Sequence, residues 1–235
     1  MTVTFDPHAL DLKKLFDDPD MFESRDAFHD AGFDLVGRSS DSKIMAGSHR
    51  AAPGLLFKKY PNTVSQQEQH ENYTTRIEGA DVLRAFVDER RLEHIVVPQK
   101  WIVALPSRFS AHKQSAYILV VERLEIVEEA ESRSAYYHID KDVLRELCAV
   151  IFRFRGLDSN AKNIPFTSRG QLAFVDTEHW KRGKRRQYLK HIDDYLSDER
   201  RDLAAKMFDD LEHGRGGDFD DEEDTSSSSS SSSSF

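Results

Sequence analysis

Apolar and polar positions follow different rhythms along the chain, and the changes of rhythm mark the elements. Residues 5–32 read as one or two short helices, with Leu10, Leu12, Leu15 and Phe16 apolar and Pro19 interrupting the run. Phe22, Phe28 and Phe33 are placed to pin this extension onto the body. From 33 to 60 the pattern shortens into three strands, Phe33 to Gly37, Lys43 to Gly47 and Gly54 to Tyr60, with the polar turn Arg38–Ser42 between the first two. Residues 63–91 change to helical spacing: Tyr73, Ile77, Ala80, Leu83 and Val87 make one stripe, and Thr63 or Ser65 can cap it.

Further on, HIVVPQKWIV (94–103) reads as a strand with Pro98 at an edge or bulge, and 105–114 as a loop. SAYILVV (115–121) is a continuous apolar run, the mark of a central strand. Residues 128–139 are polar and read as a linker. Asp140 then caps a helix whose buried face is Val143, Leu144, Leu147, Cys148, Ile151 and Phe154. Cys148 on that face reads as a small core residue. A last helix is expected over 187–213, with Tyr188, Ile192, Tyr195, Leu196, Leu203 and Phe208 inward. Beyond Gly214 the sequence becomes acidic and then poly-serine, too polar to bury a core, so a disordered tail is expected.

The chemistry concentrates in RGLDSNAKNIPFTSRGQLAFVDTEHW, residues 155–180. Asp158 is followed five residues later by Asn163, and thirteen after that by Asp176. A turn, Thr167–Gly170, and an apolar strand, Leu172 to Val175, lie between the last two. Taken singly, Asp and Asn are ordinary turn residues. Together the spacing gives a carboxylate, a loop, an amide oxygen, a hairpin and a second carboxylate. Such a set can orient a hydroxyl and supply hard oxygen ligands.

This order resembles the catalytic and metal-binding loops of the protein-kinase superfamily, D-x-x-x-x-N and then D. The resemblance runs over about residues 33–180. It implies an α+β, two-lobed fold: an antiparallel-sheet lobe with one main helix (33–127) after a helical extension (1–32), then a minimal helical lobe (128–213), then the tail (214–235). It also implies ATP and Mg²⁺ as cofactors. Asp158 would be the catalytic base, and Asn163 and Asp176 the metal ligands. Lys58 would orient the phosphates; Lys59 beside it points to the other face, and only one of the two can do so. Gly37, Ser39 and Ser40 would cover the phosphates, though without a full G-x-G-x-x-G. A helix glutamate should pair with the lysine, Glu78 being favoured by distance and Glu71 the alternative, among Glu68, Glu71 and Glu78. Val121 would be the gatekeeper, and Glu122 and Leu124 would offer backbone groups to the base.

The departures from the family pattern fall at recognisable places. Asp158 follows Gly156-Leu157, not His-Arg. Asn160 stands where the family carries a lysine, and Lys162 can substitute for it. The metal loop reads Asp176-Thr177-Glu178, and no Ala-Pro-Glu follows. The expectation is a compact, atypical kinase acting on Ser/Thr hydroxyls of a protein. A pseudokinase scaffold and a small-molecule phosphotransferase are the alternatives.

Composition narrows the class. With 38% hydrophobic and 32% charged residues the chain reads as a soluble globular protein. The net charge is −9, but six acidic residues crowd into Asp218–Asp224, so the part before them carries about −3 and no nucleic-acid partner is expected. One cysteine excludes an internal disulfide framework. No apolar run reaches spanning length, and the first residues lack a signal-peptide pattern. A cytoplasmic monomer is expected, with delivery by a specialised secretion system left open.

Overall fold

The computed structural model describes residues 11–16, 18–36, 44–60, 64–106, 116–181 and 192–215. Gly37, Ser39 and Ser40 lie outside them. The described chain is a mixed α and β structure built on a five-stranded antiparallel sheet in the order β1-β2-β3-β6-β5. Its strands are β1 (Phe33–Leu35), β2 (Met45–His49), β3 (Ala52–Lys59), β5 (Lys100–Ala104) and β6 (Tyr117–Glu122). The most apolar strand, β6, is interior, between β3 and the edge strand β5. The segment expected as one strand over 94–103 divides: β4 (Ile95–Val96) leaves the main sheet and pairs in parallel with β7 (Leu172–Ala173). Pro98, which has no N–H for a ladder, stands at the break.

The N-terminal extension contains α1 (Leu12–Leu15), a 3₁₀ turn (Pro19–Phe22) and α2 (Arg25–Asp30). Pro19 sits in the first turn of the 3₁₀ segment, where its missing N–H costs nothing. Phe16, Phe22, Phe28 and Phe33 are fully buried with Phe57 of β3, and Phe28 stacks on Phe33 at 4.2 Å between ring centres. The extension therefore covers one face of the sheet. Lys59 is buried there too, bonded to Gln69 and 5.8 Å from the Phe22 ring centre.

The opposite face carries α3 (Gln66–Arg90), capped by Ser65 through the Glu68 N–H. Its buried positions are Gln69, Tyr73, Arg76, Gly79, Ala80, Leu83 and Phe86. Ile77 and Val87, expected in the stripe, are only partly buried. The inward face is thus rotated toward Arg76. A second core joins this helix to α5 (Lys141–Arg153) and α6 (Asp198–Glu212).

Two expectations about helices need correction. Residues 128–139 are not a linker: Glu129–Tyr137 form α4. Tyr136 is fully buried there and donates to the Ile164 carbonyl at 2.6 Å, which ties α4 to the loop after α5. The last helix, expected over 187–213, is interrupted: residues 187–191 lie outside the described residues, and a turn over 194–196 precedes Ser197. It begins afresh at Asp198, where the Ser197 hydroxyl accepts from the Arg200 N–H. No helix among the described residues is long and apolar enough to cross a membrane.

Gly79 fixes how closely α3 approaches the segment after β7. A Cβ there would lie 2.2 Å from the Thr177 carbonyl oxygen and 2.6 Å from Trp180. Glycine to alanine within a helix ordinarily gains about 1 kcal/mol. At this position Gly79→Ala should instead cost about 1–3 kcal/mol through overpacking. Urea unfolding of the two proteins checks the sign; a stabilised variant would contradict the contact.

Candidate functional site

The loop after α5 is held by its own polar side chains. Asp158 accepts from the Asn160 N–H at 3.1 Å through one oxygen and from the Asn163 side-chain amide at 2.8 Å through the other. Asn160 in turn accepts from the Lys162 N–H at 3.0 Å. These short-range bonds are what Asp and Asn favour in turns. They bring Asp158 and Asn163 side by side. The Lys162 ammonium lies 3.4 Å from Glu129, on the surface.

The expected hairpin follows. Thr167 and Gln171 close it by a 2.8 Å backbone bond, and Gly170 takes a left-handed φ of 77° that favours glycine. Ala173 N–H donates to Pro165 and Val175 N–H to Asn163. The second bond seats Asn163 directly across from the residue before Asp176. The chain leaving β6 is tied to the same turn: Val127 N–H donates to Phe166 and Ser168 N–H to Glu125.

A cleft of about 1240 Å³ opens between this hairpin and the sheet. Ala46, Leu56 and Val121 give it an apolar wall, Lys58 a cationic one, and Asn163 and Val175 the facing side. Glu122, Leu124 and Lys162 also line it. Glu122 N–H is spent on the Gln99 carbonyl at 2.9 Å, and its carboxylate accepts from the Gln99 N–H at 3.1 Å. Of the two candidate lysines, Lys58 lines the cleft, and Lys59 is buried under the N-terminal extension.

The glutamates expected beside Lys58 are elsewhere, and this is a correction. Glu71 accepts from Gln67 at 2.8 Å on the exposed face of α3. Glu78 lies 3.4 Å from Lys181, also exposed. Helical phase is the reason: the inward positions are Tyr73, Arg76 and Ala80, three and four residues apart. Arg76 therefore occupies the inward place. Its guanidinium donates to Asp176 at 3.0 Å and also bonds Glu178.

Asp176 thus sits in a cationic setting. Its bonded oxygen also accepts from the Glu178 N–H at 3.2 Å. Burial pushes its carboxyl pKa up, but Arg76, Lys58, the Glu178 amide and Lys100 outweigh burial and hold it below the usual value. Lys100 is buried, donating to the Val175 carbonyl at 3.2 Å and to the Thr177 hydroxyl at 2.8 Å. Burial, and then the like charge of Lys58, push the Lys100 pKa well down. The hydroxyl of Thr177, fully buried, donates to the Arg76 carbonyl at 2.6 Å.

Two oxygens remain for a metal: the amide oxygen of Asn163 and the second carboxylate oxygen of Asp176 have no hydrogen-bond partner among the described residues. Both are hard donors of the type magnesium takes, and magnesium ordinarily completes its shell with phosphate and water. No group of three His, Cys, Asp or Glu among the described residues could hold a metal by itself. The donor chemistry fits an ion that arrives with a phosphate.

Sequence reasoning missed Arg76, Lys100 and Glu178. The signal for Arg76 was a charge at helical spacing inside an apolar stripe, between Tyr73 and Ala80. For Lys100 it was the lone charge within an apolar strand.

Lys58 and Lys59 are both lowered from 10.5 to about 8, burial being the leading cause in each. At Lys58 the Arg76 charge adds to this and Asp176 partly offsets it. The unfolded chain keeps these protons to higher pH than the folded one. Stability contributed by the pair is therefore gained as pH rises from about 8 toward 10. Lys59→Met, outside the cleft, should flatten that rise in urea unfolding at stepped pH. Parallel curves for the two proteins would refute the shift.

No protein-family model matches the chain, and no curated protein matches it. Among solved structures the chain is similar to a pseudokinase determined in its apo form, at 11% identity and a TM-score of 0.36. That match covers 74% of this chain and 65% of the other, just under two thirds of the other protein's length.

Proposed function

We propose that the chain is a compact kinase-like phosphotransferase that binds ATP with Mg²⁺ in the cleft and transfers the γ-phosphate to a hydroxyl of a protein Ser or Thr. In this reading the five-stranded sheet with α3 is one lobe, and α4, α5 and α6 with the hairpin form a reduced second lobe. The observation that carries it is the position of Asn163. Its side chain is bonded to Asp158, its carbonyl is bonded to Val175 beside Asp176, and it faces Lys58 across one cleft.

The roles follow from the chemistry of phosphoryl transfer, which is mainly positioning and charge neutralisation. Ala46, Leu56 and Val121 suit the flat apolar faces of a purine. Glu122 and Leu124, where the chain leaves β6, would meet its polar edge through backbone groups. Lys58 would neutralise phosphate oxygens. Asn163 and Asp176 would hold the magnesium, which when bound supplies further neutralisation of the triphosphate. Asp158, exposed beside Asn163, would orient the acceptor hydroxyl and take its proton. Lys162, which also lines the cleft, would assist the transferred group.

A nucleotide-binding scaffold without transfer is the second reading. It is favoured by the Arg76 guanidinium on the carboxylate that would serve the metal. A small-molecule acceptor in place of a protein is the other substrate class to be examined.

Labelled ATP incubated with the chain and candidate proteins should give transfer that vanishes in Asp176→Ala. In Asp158→Asn, turnover should fall about 10²–10⁴-fold, the range for removing a general base. Transfer indifferent to both changes would refute the assignment. ATP binding without transfer to any protein or metabolite would leave the scaffold.

A further inference from the structure

The charged groups below the cleft are paired unequally, and their partners show which one is left for a ligand. Around Asp176 stand three basic side chains: Arg76, Lys58 and Lys100. Arg76 is bonded to both carboxylates of the group, Asp176 and Glu178. Lys100 is bonded to neutral oxygens, the Val175 carbonyl and the Thr177 hydroxyl. Lys58 has no carboxylate within ion-pairing distance among the described residues, and it lines the cleft. Arg76 thus takes up both carboxylates, and the Lys58 ammonium is the basic group left to meet an anion entering the cleft.

Asp176 is also the residue a magnesium ion would need. Arg76 already holds one of its oxygens at 3.0 Å from a side chain that is only 9% exposed. A dication on the same carboxylate would face that guanidinium at short range, where like charges repel. Glu178 gives Arg76 a second place to go. The guanidinium already bonds Glu178, so losing Asp176 would not leave it buried and unpaired.

We propose that Arg76 serves as a resident cation for Asp176, so that the cleft takes a nucleoside triphosphate without a divalent metal. A metal reaches Asp176 only when Arg76 shifts its bond wholly to Glu178. This rests on the reading of the cleft as a nucleotide site. It adds that binding and metal loading are separate events, and that Arg76 is a positioning residue that sets their order. With Arg76 in place, Asp176 is neutralised and does not repel the phosphates; Lys58 is then free to attract them. Without it, the carboxylate repels the triphosphate unless a metal covers it.

The test is a fluorescent ATP analogue titrated into the full chain, once in EDTA and once in excess MgCl₂. Wild-type affinities in the two buffers should agree within about threefold. Arg76→Gln should bind at least about tenfold more weakly in EDTA and recover in magnesium. Arg76→Lys, which keeps the charge, should retain most of the metal-free binding. If circular dichroism shows Arg76→Gln to be unfolded, Asp176→Asn decides: it should bind more tightly than wild type in EDTA and, like wild type, stay indifferent to magnesium. Wild-type binding that needs magnesium, an Arg76→Gln variant still indifferent to it, or an Asp176→Asn variant that fails to bind in EDTA overturns the proposal. No binding of the analogue in either buffer removes the nucleotide reading itself, and this inference with it.

Discussion

A guanidinium buried between a helix and a loop has to be neutralised where it stands, and much of this structure is arranged around that need. Arg76 lies on the inward face of α3, and its two partners, Asp176 and Glu178, both come from the segment that follows β7. Leaving either the cation or the carboxylates unpaired there would be strongly destabilising. The helix and the segment are therefore held in one register. Gly79, one turn further along, allows the close approach, and Thr177 closes it by bonding the Arg76 carbonyl. Lys100 adds a tie from β5 to the same residues. The polar contacts that fix the fold here are the same ones that set the electrostatics of the cleft.

The other side of the cleft is built by local chemistry. Asp158, Asn160 and Asn163 satisfy each other and their own backbone within six residues, so the loop needs little outside support to take its shape. Tertiary structure then anchors it: Tyr136 holds the Ile164 carbonyl, Ser132 receives the Phe166 N–H, and β7 pairs with β4. A loop shaped locally and fixed by buried hydrogen bonds can present polar groups to a cleft with little freedom to wander.

Expected and observed charge pairs differ in an instructive way. By resemblance α3 should bring a glutamate to the strand lysine. The chain has glutamates at 68, 71 and 78, yet the inward phase of the helix passes through Arg76. The loop after β7 carries Glu178 in return. An ion pair between the helix and the cleft is present with its polarity reversed, and Lys58 is left without a carboxylate partner among the described residues. A one-residue shift along a helix turns a side chain by about 100°, so a plausible glutamate by distance became an exposed one by phase.

The amino-acid sequence by itself determined most strands of the sheet, the extent of α3 and α5, the cap of α5 at Asp140 and that of α3 down to Thr63 or Ser65, and the placing of Asp158 and Asn163 on one short loop. These rest on periodicity and on side chains that bond their near neighbours, and both are written in local order. It did not determine that polar residues 129–137 form a helix, that 94–103 divides between two sheets, or that Arg76 and Lys100 converge on Asp176. Those contacts join residues up to a hundred positions apart. Their stability comes from burial and neutralisation, which exist only once the helix, the strand and the hairpin have met.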